Sequence, residues 1–80
     1  MSKYKKNQIL EIKSVIGHFV FIIKDIYNNL YDTCTYEIQV LQVYSLPPKP
    51  FKKPTVISEW ILEEAYEPDN IETLRVLYGI

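Results

Sequence analysis

The chain reads as mainly β, a small barrel with a short C-terminal helix, and three observations predict that class. Residues 18–26 and 35–44 alternate with a period of two, the spacing of side chains on a pleated strand. Tyr, Ile and Val are prominent, with seven Tyr among 80 residues, and aromatic and branched side chains pack well on a pleated surface. Short strand-like runs are separated by turn residues at close intervals, and a chain of this length suits a small barrel better than a sandwich.

Each element follows in order. Residues 1–6 (MSKYKK) are polar and basic and are expected to fray as a flexible N-terminus. In residues 8–16, Leu10 and Ile12 alternate with Glu11 and Lys13, as on a half-buried strand. Gly17 punctuates the chain. Beyond it Phe19, Phe21 and Ile23 share one face while Val20, Ile22 and Lys24 share the other, so this strand is apolar on both sides and belongs in the centre of the sheet.

Residues 27–33 (YNNLYDT) contain Asn28, Asn29 and Asp32, which tolerate left-handed geometry, and they predict a hairpin connection. In the next strand Tyr36, Ile38 and Val40 alternate with Glu37 and Gln39, but Leu41 and Val43 then become the apolar set. A slip of one residue moves side chains to the opposite face, and a bulge near Val40 and Leu41 accounts for it. Residues 45–54 (SLPPKPFKKP) hold Pro47, Pro48, Pro50 and Pro54, which lack backbone donors and cannot sit inside a paired central strand. This stretch is an exposed, extended connection.

Val56 and Ile57 resume strand, Ser58 starts a single helical turn through Trp60, and Ile61 and Leu62 are expected to re-enter the sheet. The tail is open to two readings. Asp69 offers a cap, with Glu72 three residues on, Gly79 offers a stop, and Ile71, Leu74 and Tyr78 fall on one helical face. Leu74, Val76, Tyr78 and Ile80 also fit an alternating strand. A short helix over residues 69–79 is the favoured reading, within one domain spanning residues 1–80 whose barrel occupies residues 8–64.

The runs ILEIKSVIGHFVFIIKD, TYEIQVL and VISEWILEE together resemble a bacterial SH3-like barrel. In that fold a strand precedes a glycine turn, a long bent strand pairs with a tyrosine-containing one, and a turn of the form V-x-E-x-x-L-E enters the last strand. The matching positions are Gly17, Tyr36, Val56 or Ile57, Glu59, Leu62 and Glu63. The resemblance implies a shape and no activity, since such barrels carry many functions. The isoleucine-, lysine- and tyrosine-rich style is also similar to small proteins of low-GC bacteria and their phages.

Composition narrows the function classes. One cysteine, Cys34, excludes an internal disulfide and a cysteine-based zinc site. The longest apolar run, residues 15–23, is far shorter than the roughly 20 residues that cross a bilayer. The start lacks an apolar stretch with a small-residue cleavage site, so no secretory signal is expected, and cytoplasmic location follows by default. No glycine-rich phosphate loop or histidine pair is present, no cofactor or small-molecule substrate is implied, and the enzyme class ranks last. His18 and Cys34 are single residues of their types and read as a strand-start His and a turn Cys rather than a nucleophile pair. The acidic group Glu63, Glu64, Glu67 and Asp69 reads as a solvated segment.

Net charge is −1, with Lys concentrated before residue 54 and acids after it. The two signs are expected to neutralise each other when the chain ends meet, although such asymmetry can also mark a binding face. The leading expectation is a non-enzymatic protein-binding module, an accessory factor of phage or mobile-element type that occludes a host protein or self-associates. An aromatic patch drawn from Tyr27, Tyr31, Tyr44, Phe51 and Trp60 would supply its hydrophobic centre. Trp60 has a competing and favoured reading as a plug of the barrel end, and Phe51 as a side chain folded back on the barrel. The alternative is a nucleic-acid-binding barrel using Lys5, Lys6, Lys49, Lys52 and Lys53. A polyproline ligand reading of residues 46–52 ranks behind that of a stiff connector.

Overall fold

The computed structural model describes residues 4–28, 34–45 and 55–80. Four strands, β1 (Ile9–Ser14), β2 (Gly17–Asn28), β3 (Cys34–Ser45) and β4 (Val56–Ser58), form one sheet in the order β1-β2-β3-β4 with antiparallel neighbours. Two helices follow, α1 (Glu59–Leu62) and α2 (Ile71–Tyr78). The class is mainly β with a short C-terminal helix.

β2 is the central strand that its two apolar faces require. Phe19, Phe21 and Ile23 join Leu10, Ile12, Cys34, Tyr36, Ile38, Ile57 and Leu62 in one buried cluster. Val20 and Ile22, pointing the other way, join Ile9 and Leu74 in a second. Both clusters draw on β1 and β2, so each side of the sheet needs its own cover: α1 supplies it on the first side and α2 on the second. A fully buried Phe or Ile of this kind contributes about 1.5–3 kcal/mol.

The slipped alternation of β3 is a bulge. Phe21 lies opposite Val40 and Val20 opposite Gln42, which leaves Leu41 as the extra residue. Val40 therefore packs on the first cluster and Leu41 on the second. Two further irregularities, between His18 and Phe19 and between Ile23 and Asp25, sharpen the bend of this long pair.

The sheet itself stays open, so the ladder does not complete the barrel expected from the sequence. Ile61 and Leu62 lie in α1 and do not re-enter the sheet. The short helix turns Leu62 into the first cluster while Trp60 remains 72% exposed, so Trp60 is not a plug. The chain returns to the sheet four residues later, where Tyr66 and Glu11 exchange backbone hydrogen bonds of 2.8 and 2.9 Å on the outer edge of β1.

At the N-terminus Tyr4 is held rather than frayed. Its hydroxyl donates to the Leu62 carbonyl at 3.0 Å, and its ring meets that of Tyr36 edge-on at 5.5 Å. Tyr27 and Asn28, expected in the hairpin connection, extend β2 and pair with Thr35 and Cys34. The remainder of that connection, and residues 46–54 of the proline-rich stretch, lie outside the described residues.

The tail is the helix of the favoured reading. Its N-cap is Asn70, without a side-chain cap bond, and not Asp69. Gly79 ends it at φ 68°, a left-handed position suited to glycine. Leu74 and Ile71 pack on the second cluster, and the Tyr78 hydroxyl donates to the Leu41 carbonyl at 3.1 Å.

Candidate functional site

α2 has two apolar sides. Ile71, Leu74 and Tyr78 recur at the spacing of one helical face and are committed to the sheet. Val76 and Leu77 lie away from it, 84% and 64% exposed. With Glu72 and Thr73, Val76 and Leu77 line a shallow apolar depression of about 420 Å³.

A second groove, of about 430 Å³, runs between α2 and the N-terminal segment and is lined by Lys5, Lys6, Asn7, Gln8 and Arg75. Asn7 turns the chain there at φ 67°, and Gln8 Oε1 accepts the Lys5 backbone N–H at 3.0 Å. Lys6 Nζ is 3.3 Å from Asp25 Oδ1. The Ile26 backbone N–H and this lysine hold the Asp25 carboxyl below its ordinary range.

A polar cluster occupies the end of the sheet where β1 and β2 meet. Glu11 and His18 project from the same side, with His18 Nε2 2.6 Å from Glu11 Oε2. The Tyr66 hydroxyl donates to the same oxygen at 2.8 Å, and the Tyr44 ring packs on His18 at a centroid distance of 4.6 Å. An ionised carboxylate only accepts, so Nε2 carries the proton in this pair. The His18 bond, opposed by burial and aided by Tyr66, lowers the Glu11 pKa. The hydrogen bond to Glu11 in turn raises that of Tyr66.

Of the expected aromatic patch, Tyr27 and Tyr44 are not brought together. Tyr27 and Tyr44 stand near opposite ends of the β2–β3 pair, since Tyr27 pairs with Thr35 while His18, at the far end, pairs with Ser45. At about 3.3 Å per residue the separation is roughly 25 Å. Trp60 sits on α1, and Tyr31 and Phe51 lie outside the described residues. Tyr27 instead donates to Glu37 Oε1 at 3.1 Å, and Tyr44 to Gln42 Oε1 at 3.2 Å.

Of the expected basic set, Lys5 and Lys6 share the groove beside α2, while Lys49, Lys52 and Lys53 lie outside the described residues. His18 and Cys34 are separated along the same strand pair, because Cys34 pairs with Asn28. Cys34 is buried, with its thiol 3.1 Å from Asn28 Oδ1. Glu63, Glu64, Glu67 and Asp69 are all exposed.

Sequence reasoning missed Arg75 and the Val76–Leu77 pair. The signal was present: Val76 and Leu77 are apolar residues of the same helix that fall outside the set Ile71, Leu74 and Tyr78. Among the described residues no group of three or more His, Cys, Asp or Glu side chains has the placement to hold a metal ion, and no helix is long and apolar enough to cross a membrane. Comparison with known proteins finds no matching family model, no similar curated protein and no similar solved structure.

Proposed function

We propose that the protein is a non-enzymatic protein-binding module whose partner covers the outer side of α2. One observation carries this reading: Val76 and Leu77 remain 84% and 64% exposed on a helix whose opposite side is already committed to the core. The matching partner surface is an apolar groove that takes a helix by side chains one turn apart. Such a groove wraps the helix, whereas Val76, Leu77 and Ile80 alone offer far less than the roughly 800 Å² per partner of a standard interface. A flat pairing of two copies through these residues is therefore disfavoured.

The finer fold reading, an SH3-like barrel, is part of the same proposal. A strongly bulged β2–β3 pair, a helical turn after β4, and a return to the edge of β1 at Tyr66 support it.

The test uses the intact protein and the double variant Val76→Ser/Leu77→Ser as baits in lysate of the source organism, with sedimentation velocity on each purified protein. Both changes are at exposed positions, so thermal unfolding of the variant should match the parent within a few degrees. Partners recovered with the parent and lost with the variant support the reading. An identical partner set for both baits, or a parent that dimerises by itself through this surface, overturns it.

A further inference from the structure

We infer that the groove between α2 and the N-terminal segment is a binding site for a phosphomonoester dianion. Its lining among the described residues, Lys5, Lys6, Asn7, Gln8 and Arg75, includes no carboxylate, although acids outnumber bases ten to nine in the whole chain. Each of these five side chains carries N–H donors, so this wall is built to surround an acceptor.

Charge bookkeeping sets the class of ligand. Lys6 is engaged by Asp25 at 3.3 Å. Among the described residues the Lys5 ammonium and the Arg75 guanidinium have no acidic or hydrogen-bonding partner, and Arg75 is half-buried. A partly desolvated guanidinium without an anion is costly, and its planar fork fits the paired oxygens of a phosphate. Two unengaged cations match one phosphomonoester, which carries about −1.5 to −2 at neutral pH. A phosphodiester supplies only one charge per phosphate, and among the described residues no aromatic side chain lines the groove to stack a base. The ligand is thus recognised by its phosphate, whether that group is free or esterified to a small molecule.

The site is independent of the partner surface: Arg75 and Lys5 serve one, Val76 and Leu77 the other.

The test is a titration of ¹⁵N-labelled full-length protein, followed by NMR, with inorganic phosphate, glycerol phosphate and the diester dimethyl phosphate. Saturable shifts are expected at the amides of residues 5–8 and at the Arg75 side chain with the first two, and not with the diester. Binding should weaken at pH 5, where the monoester holds its second proton (second pKa about 6). Arg75→Gln and Lys5→Gln should each weaken it by about tenfold, the ordinary effect of removing one charge-assisted contact. Val76→Ser/Leu77→Ser should leave it unchanged. Stronger binding of glycerol phosphate than of inorganic phosphate assigns the site to an esterified ligand, and equal binding to the free anion; both support the proposal. It is overturned by absent shifts, by shifts spread equally over Lys13 and Lys24, by equal binding of the diester, or by folded Arg75 and Lys5 variants that bind like the parent.

Discussion

Glu11 Oε2 lies 2.6 Å from His18 Nε2 and 2.8 Å from the Tyr66 hydroxyl oxygen, so one carboxylate oxygen joins β1, β2 and the returning chain. The same Glu11 exchanges backbone hydrogen bonds with Tyr66. The polar cluster is therefore the clasp that holds residues 65–66 to an otherwise open sheet edge.

This clasp predicts an acid dependence. The Glu11 pKa in the folded chain is lowered, first by His18, so its stabilisation is complete above the ordinary value of 4.5. It is lost as pH falls through the lower folded value. Glu11→Gln should cost about 1 kcal/mol at pH 7 and flatten the fall in stability below pH 4.5. Denaturant midpoints measured from pH 3 to 7 check both (roughly the window of a carboxyl titration).

An alkaline dependence should come from Tyr36. The residue is fully buried and its hydroxyl donates to Glu59 Oε1 at 3.0 Å. Burial, followed by the Glu59 carboxylate, drives its pKa far above the ordinary 10.0. A raised folded pKa stabilises fully below the unfolded value and less as pH climbs past it, so the fold should weaken steadily above pH 10. Tyr36→Phe should cost about 1 kcal/mol at pH 7 and reduce that alkaline loss. Circular dichroism against pH distinguishes the two chains.

The two sides of α2 should respond in opposite ways. Leu74 is 1% exposed against Ile9, Val20 and Ile22, and Leu74→Ala should destabilise by about 2–5 kcal/mol. Hydrogen exchange in α2 should rise most. Leu77→Ser, at a position 64% exposed, should change stability by no more than about 0.5 kcal/mol.

Gly79 gives a backbone test. It takes φ 68°, and a Cβ added there would meet nothing within 4 Å. The cost of Gly79→Ala is then purely conformational, about 1 kcal/mol, while Gly79→Asn should cost less because Asn enters the left-handed region more readily. Thermal unfolding of the two variants should rank them in that order.

What the sequence determined by itself is what short-range periodicity encodes. The double-sided alternation of Phe19–Ile23 marked β2 as central, and the slip at Val40 and Leu41 marked the bulge; Ile71, Leu74 and Gly79 favoured a final helix, which the structure decided over the competing strand. A period reports which side chains share a face. It does not report what covers that face, and this only the tertiary structure decided. α1 took Leu62 into the core in place of a last strand and left Trp60 in solvent. The fold also set Tyr27 and Tyr44 apart, closed Glu11 on Tyr66 across 55 residues, and brought Lys5 beside Arg75. Contacts between residues so distant in the chain depend on how the sheet bends and which helix lands on it, and no local pattern carries that information.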